Sequence, residues 1–210
     1  MPLTKLGDND LIKIIYNRRE ERKIEYKDSM SWKNKDTQIT TTKCILGMAN
    51  LLDGGFVVFG VKEHDGNFIP SGMNPDHVKS FTQDKVYDFV KNYADPFVEI
   101  NFVKFNHDDK EFVIIQVGEF EELPVICKKD CNLNGKEYLR QGAVYIRSRH
   151  KPEVTEVPTQ TEMREIIELA ADKSIRRLIE RNGRAGILSL IISAEFSDKD
   201  KFDKQLGEVR

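Results

Sequence analysis

The stretch EERKIEYKD, Glu20–Asp28, alternates apolar and charged residues over its second half. Ile24 and Tyr26 fall on one face of an extended segment, whereas Glu25 and Lys27 fall on the other. Such a period of two is typical of a short β-strand that buries one face. The stretch therefore predicts a strand whose second face carries charged side chains.

The charged face of this strand has two interpretations. Surface glutamates flanked by Arg and Lys are commonly exposed ion pairs, each worth well under about 1 kcal/mol. Alternatively, Glu20 or Glu21 together with Glu25 could hold a divalent cation next to a phosphate, because Mg²⁺ and Mn²⁺ prefer oxygen ligands. The local pattern leaves both interpretations open.

Helical and extended patterns alternate along the rest of the chain. Apolar residues at three- and four-residue steps predict helices, and short alternating or wholly apolar runs predict strands. The run FVVFGV, Phe56–Val61, has no polar residue and is expected to be a strand buried on both faces. The other predicted elements are helices from Asp8 or Asn9, from Asp36 to Leu52, at Pro75–Ala94 and at Thr161–Asn182, a hairpin of Phe97–Phe105 with Glu111–Val117, and short strands near Val125, at Glu137–Leu139 and at Ala143–Arg147.

This order of elements predicts an α+β fold. We expect a single domain built on one mixed sheet at residues 8–158, followed at residues 159–210 by an amphipathic C-terminal helix and a short charged tail. A chain of 210 residues is long enough to bury one sizeable core. The sequence contains no internal repeat and no low-complexity segment.

The composition is that of a folded protein, with 39% hydrophobic and 32% charged residues. No apolar run approaches the roughly eighteen residues that a membrane helix needs, and we expect a cytoplasmic location. The chain has 3 cysteines, an odd number that fits a reducing compartment better than a disulfide framework. Cys127 and Cys131 form a C-x3-C pair, which favours two thiols flanking a turn over a zinc site completed by His150.

Three motifs, taken in order, resemble one family. EERKIEYK (Glu20–Lys27) resembles an E-x4-E-[FY]-K signature, ILGMANLLDGGFVVFGVKEHDG (Ile45–Gly66) resembles a core around an asparagine and a glycine pair, and GAVYIRSRHKP (Gly142–Pro152) resembles a closing tyrosine–arginine strand. These are features of the AlbA_2, or Schlafen-type, domain. The resemblance extends from Leu11 to about Ala171 and implies an α+β domain that targets nucleic acid.

The same resemblance implies a candidate active site. Schlafen-type endoribonucleases use three carboxylates, and the matching positions are Glu20, Glu25 and Glu63, with the five-residue spacing selecting Glu20 over Glu21. We expect these carboxylates to bind Mg²⁺ or Mn²⁺, which can polarise a phosphodiester and activate a nucleophile. Lys27, on the strand face that carries Glu25, is expected to offset charge on the scissile phosphate.

Basic and aromatic residues suggest where nucleic acid would bind. The formal net charge is −2, so binding would depend on local basic segments. Trp32 lies in a polar loop beside Lys33 and Lys35 and is expected to be exposed for stacking on a base. The candidate binding residues are Arg22, Lys23, Trp32, Arg140, Arg147, Arg149 and Lys151.

The expected partner is RNA of a tRNA-like kind, or DNA. The alternative function is a non-catalytic DNA- or RNA-binding regulatory or assembly module, in which the apolar tail around Ile187–Ala194 docks a partner or a second copy. We expect no nucleotide cofactor, because the glycines of GGFVVFGVK bound a strand and no G-x4-G-K-[ST] motif is present.

Overall fold

A computed structural model describes residues 3–17, 19–149, 153–157 and 159–184. Lys151, His150 and the apolar tail, which the alternative function expects to dock a partner or a second copy, lie outside these described residues. The chain divides into two compact units, of which the first ends at Ile167 and the second begins at Glu168. This division falls inside the last helix, not before it. No helix among the described residues is both long and apolar enough to cross a membrane.

The elements follow the predicted order with additional short strands. The helices are α1 (Asp8–Ile15), α2 (Lys35–Ala49), α3 (Pro75–Ser80), α4 (Gln83–Lys91) and α5 (Gln160–Arg184). The strands are β1 (Ile24–Lys27), β2 (Gly55–Phe59), β3 (Val61–His64), β4 (Asn67–Pro70), β5 (Ala94–Asp95), β6 (Ile100–His107), β7 (Lys110–Val117), β8 (Ile126–Cys127), β9 (Cys131–Leu133), β10 (Lys136–Leu139), β11 (Tyr145–Arg147) and β12 (Val154–Glu156).

A mixed sheet with the strand order β1-β2-β7-β6 forms the centre of the first unit. Strands β1 and β2 are parallel, with Glu25 opposite Val57, whereas β2–β7 and β7–β6 are antiparallel. The predicted α+β class and the predicted mixed sheet are therefore confirmed. The predicted hairpin is also present, and Asp108 and Asp109, both at positive φ, form its turn.

The central sheet has two faces with different coverings. On the face that we call the α1 face, Ile24 and Tyr26 pack with Val58 and with Leu11 and Ile15 of α1. Side chains alternate along a strand, so the neighbours of Ile24 and Tyr26 point to the opposite face, which we call the α2 face because α2 packs against it. The predicted division of β1 into an apolar and a charged face is thus confirmed.

The predicted helix Pro75–Ala94 is wrong in one respect, because the structure divides it into α3 and α4. Phe81 follows α3 in an extended conformation and is fully buried, with its ring centroid 4.8 Å from that of Phe59. Thr82 then begins α4, where its Oγ1 accepts a hydrogen bond from the backbone N of Lys85 at 3.4 Å. The apolar stripe runs through both helices, so periodicity alone did not reveal the break.

The end of α2 is tied to the rest of the core by Asn50. Its buried side-chain Nδ2 donates to the carbonyls of Val125 and Tyr145 at 2.9 and 2.8 Å, and its Oδ1 accepts from the backbone N of Val125 at 2.8 Å. Gly54 follows with a φ of +66°, and a Cβ there would lie 1.9 Å from the carbonyl oxygen of Val117. Asn50 and Gly54, both from the asparagine and glycine-pair motif, therefore have structural roles.

The last helix and the cysteines complete the fold. Ile166 of α5 is buried, whereas Met163, Ile167, Ile175, Leu178 and Ile179 are exposed. All three cysteines are buried free thiols. Cys127 and Cys131 flank the turn that contains Lys128–Asp130, as the first of the two sequence interpretations expects.

Candidate functional site

Four charged side chains meet beside β1 on the α2 face. We call them the carboxylate cluster: Glu20, Glu25, Lys27 and Arg147. The Arg147 Nη1 pairs with Glu25 Oε2, the Lys27 Nζ lies 3.0 Å from Glu25 Oε1, and the Arg147 Nη2 lies 3.5 Å from Glu20 Oε1. Both oxygens of Glu25 therefore already bind a cation from the protein itself.

The guanidinium of Arg147 is held from several directions. Arg147 ends β11 and its side chain is 0% exposed. Its Nη2 also donates to the carbonyls of Ile24 and Glu21 at 3.2 and 3.3 Å, and its own carbonyl accepts from Arg22 Nε at 2.8 Å. Arg147 is therefore placed as the buried counter-ion of the two carboxylates, which corrects the expectation that it lies on a nucleic-acid surface.

The two carboxylates of the cluster differ in protonation. Burial raises the pKa of Glu20 to about 7, helped by the hydrogen bond and the charge of Glu25 and opposed by Arg147. Burial also raises the pKa of Glu25, but Lys27 and Arg147 outweigh it, so the Glu25 pKa lies below its ordinary value. Near neutral pH Glu25 is thus ionised, while Glu20 is a mixture of its protonated and ionised forms.

A Glu20→Gln variant tests the raised pKa of Glu20, because its effect on the free energy of unfolding should depend on pH. The fold favours protonated Glu20, since the pKa rises from 4.5 to about 7, so this contribution to stability is complete below pH 4.5 and is lost as pH rises through 7. Glutamine cannot ionise. We expect the variant to gain about 1 kcal/mol relative to the wild type between pH 5 and pH 8, a value reduced for solvent screening. Urea unfolding at both pH values measures this difference. A gain in the free energy of unfolding that is the same at pH 5 and pH 8 would contradict the raised pKa of Glu20.

Glu63 does not join the carboxylate cluster. Strands β3 and β4 form a hairpin in which Glu63 lies opposite Phe68. Residues that pair directly across two strands share a face, and Phe68 packs against Tyr26 with ring centroids 5.1 Å apart. Glu63 is therefore on the side of Tyr26, whereas Glu25 points to the opposite face of β1. Gly60, at a φ of +100°, reorients the chain between β2 and β3.

These positions test the expected metal site. Among residues 3–17, 19–149, 153–157 and 159–184, no three His, Cys, Asp or Glu side chains form a group that could hold a metal ion. The two carboxylates that do meet, Glu20 and Glu25, face the guanidinium of Arg147 at the position where a cation would sit. The arrangement therefore does not fit a three-carboxylate metal centre.

Each described basic residue that is expected to bind nucleic acid is paired with a carboxylate of the same chain. Arg22 lies 2.8 Å from Glu165, which also pairs with Arg149. The other pairs are Lys23 with Asp53 at 2.8 Å and Arg140 with Glu156, where the Arg140 Nε is 3.0 Å from Glu156 Oε1. The positive charge of each residue is thus partly neutralised before any ligand arrives.

Trp32 is buried, so the prediction of an exposed aromatic was wrong. Its side chain is 2% exposed and packs against Phe81 and Phe89, with ring centroids 5.3 and 6.0 Å away. Its backbone N donates to Ser80 Oγ at 2.8 Å. The polar neighbours of Trp32 in sequence point outward, while the indole fills a pocket formed by α3 and α4.

Sequence reasoning missed a set of exposed lysines around α4. Lys33, Lys85, Lys91, Lys128 and Lys129 line two adjoining surface depressions, which we call together the α4 groove. These residues come from three separate segments of the chain, so no single basic run marks them. The Lys128–Lys129 doublet, in the turn between Cys127 and Cys131, is the sequence signal that could have indicated this surface.

Comparison with known proteins gives one informative match. The family described as "Schlafen, AlbA_2" matches residues 20–156. No curated protein matches the chain. Among solved structures, the DIP2311 protein from Corynebacterium diphtheriae matches with 13% identity and a TM-score of 0.45, over 71% of this chain and 26% of that protein. The N-terminal domain of a RecG-related protein from Nitrosomonas europaea matches with 21% identity and a TM-score of 0.46, over 74% and 99% of the two chains.

The family match covers the β1 signature, the Asn50–Gly54 turn and the strand that ends in Arg147. These are the segments that build the carboxylate cluster and join the end of α2 to β11. The match extends over more than half of the chain, and the fold agrees with the expected α+β class. The chain therefore belongs to the Schlafen AlbA_2 family.

Proposed function

We propose that this protein binds nucleic acid through the phosphate backbone and does so without cutting it. Domains of the family are often linked to nucleic acid. The observation that supports the non-catalytic part of the proposal is that both carboxylate oxygens of Glu25 are already paired with basic side chains. One of its oxygens pairs with Arg147 and the other lies 3.0 Å from the Lys27 Nζ.

A divalent metal would have to compete with these internal cations. Arg147 is fully buried, and removing one partner of a buried ion pair leaves an uncompensated charge, which is strongly unfavourable. Glu63, the third carboxylate that catalysis would need, lies on the other side of β1. The carboxylate cluster is therefore better suited to joining β1 to β11 than to cleaving a phosphodiester.

A Schlafen-type endoribonuclease is the second candidate. Two observations favour it: Glu20 and Glu25 do lie together, and the Glu20 pKa of about 7 suits a general acid or base at neutral pH. In this reading Mg²⁺ or Mn²⁺ would be required. Glu25 would then be indispensable for cleavage and dispensable for binding.

One experiment separates the two candidates. The wild type and Glu25→Gln are incubated with tRNA, rRNA, single-stranded DNA and duplex DNA, in Mg²⁺, Mn²⁺ or EDTA, and both binding and product formation are measured. We expect binding that EDTA does not weaken, and no cleavage by either protein. Cleavage by the wild type that needs metal and is lost in a folded Glu25→Gln would establish the endoribonuclease instead.

The matched control is Glu63→Gln. Glu63 is exposed and lies in the hairpin opposite Phe68, so its substitution should leave the fold intact. A loss of cleavage in this variant as well would show that all three carboxylates act together. Unchanged binding in both variants, with no products, supports the binding module.

A further inference from the structure

The α4 groove concentrates positive charge on a protein whose formal net charge is −2. Its two depressions have volumes of about 560 and 440 Å³ and share Asp88 and Asn92 as lining residues. Lys85, Asp88 and Lys91 follow one another at three-residue steps along α4, which places Asp88 next to both lysines on the helix surface. Lys35 lies beside the groove, with its Nζ 5.5 Å from the centre of the Phe89 ring.

These lysines are grouped around one helix and, like Lys5, Lys62 and Lys104 elsewhere, have no carboxylate partner among the described residues. Within the described part of the chain, none of Lys33, Lys35, Lys85, Lys91, Lys128 and Lys129 lies within 4.0 Å of a carboxylate oxygen. By contrast, Arg22, Lys23 and Arg140 each have such a partner. The charge of the groove lysines is therefore available to an external anion, whereas the charge of Arg22, Lys23 and Arg140 is partly neutralised.

The fold fixes the position of these charges without neutralising them. The backbone N of Lys128 donates to the carbonyl of Tyr93 at 2.7 Å, which ties the β8–β9 turn to the end of α4. The Lys129 Nζ lies 4.8 Å from the centre of the Tyr93 ring. Cation–π contacts of this kind orient a lysine and leave its charge intact.

We propose that the α4 groove is the surface that binds the phosphodiester backbone, an assignment that rests on the function proposed above. The groove offers five lysine ammonium groups, and its aromatic lining consists of Trp32, which is 2% exposed, and the half-buried Phe89, whose ring lies beneath the Lys35 Nζ at 5.5 Å. Contacts to phosphate carry no sequence information, whereas base stacking needs an open ring face. The groove therefore binds RNA or DNA by charge and without sequence preference.

Two triple variants with the same net charge test this assignment. In the first, Lys85, Lys91 and Lys128 in the groove become Gln; in the second, the exposed Lys5, Lys62 and Lys104 elsewhere become Gln. Fluorescein-labelled 20-nucleotide RNA, DNA of the same sequence and its duplex are titrated at several salt concentrations. For single strands we expect the groove triple to bind at least about tenfold more weakly and to lower the slope of log K against log salt by about 2, since each lost phosphate contact removes about 0.7.

The control triple should change the affinity by less than about threefold. Equal weakening of both triples would mean that net charge alone sets the affinity, which overturns the groove and leaves nucleic-acid binding standing. A wild type that binds none of the three probes at low salt would overturn both proposals. If an acidic peptide of matched length and charge binds more tightly than the nucleic acids, the groove binds a protein partner, and its assignment to the phosphodiester backbone is overturned too.

A gain of function gives an independent test of the same groove. Asp88 is exposed and lines both depressions, so its carboxylate repels a phosphate placed between the lysines. Asp88→Asn should therefore bind the labelled RNA about two- to fivefold more tightly, an increase that shrinks as salt rises. Asp109→Asn, which removes an exposed charge from the β6–β7 turn, is the matched control. An Asp88→Asn affinity no higher than that of the control contradicts the assignment.

Discussion

Replacing Arg147 by alanine is expected to cost about 3–5 kcal/mol of the free energy of unfolding, which is the usual result of breaking a buried ion pair. Arg147 is 0% exposed and pairs with Glu25 and Glu20. The variant leaves Glu25 with one cation in place of two and leaves the carbonyls of Ile24 and Glu21 without this donor. Urea unfolding, followed by the fluorescence of the single, buried Trp32, measures the loss.

The control for this prediction is Arg140→Ala. Arg140 also pairs with a glutamate, Glu156, but both side chains are largely exposed, so the expected loss is below about 1 kcal/mol. A double-mutant cycle of Arg147→Met with Glu25→Gln should be non-additive by more than about 1 kcal/mol, because the two side chains are in direct contact. Additive losses, or a loss for Arg147→Ala no larger than that for Arg140→Ala, would show that Arg147 does not stabilise the cluster.

The second large effect is expected for Asn50→Asp, an almost isosteric change. The Nδ2 of Asn50 donates two hydrogen bonds, to the carbonyls of Val125 and Tyr145, and a carboxylate would place an acceptor against both. Each unsatisfied buried polar group costs about 1–3 kcal/mol, so we expect a loss of about 3–5 kcal/mol at pH 7. The loss should be smaller at pH 4, since a protonated aspartate can donate one hydrogen bond again.

Asn67→Asp is the matched control for the Asn50 variant. The Nδ2 of Asn67 donates to the carbonyl of Asp65 at 3.3 Å in an exposed turn, where water can replace the lost donor. Its substitution should change the free energy of unfolding by less than about 0.5 kcal/mol. An Asn50 variant that unfolds at the same urea concentration as this control at pH 7 would contradict the bridging role.

Local sequence patterns predicted the elements of this fold well because each pattern reflects whether one face or both faces of an element are buried. The alternation in Ile24–Lys27 predicted β1, and the wholly apolar run that contains Val57 and Val58 predicted β2. The break at Phe81 was missed because the apolar stripe continues from α3 into α4. An apolar residue that is buried at the end of a helix fits the same hydrophobic periodicity as one buried at its centre, so the periodicity does not mark where α3 ends.

The candidate site was less predictable, because its contacts join distant parts of the chain. Arg147 reaches Glu25 across 122 positions, and Arg22 reaches Glu165 across 143. The sequence around a basic residue does not show whether its side chain is free to bind a phosphate or is already paired with a glutamate of the same chain. Glu63 was expected in the site from the family resemblance, but the positive φ of Gly60 reorients the chain between β2 and β3, and Glu63 lies on the other side of β1.

The burial of all three thiols has a practical consequence for labelling. Cys44, Cys127 and Cys131 are at most 8% exposed, and burial raises the pKa of the Cys44 thiol to about 12. Thiols that are shielded and protonated react slowly with maleimides. The native sequence therefore serves as a nearly silent background for site-directed probes. A single Lys91→Cys substitution would attach one fluorophore at the α4 groove without any prior removal of cysteines.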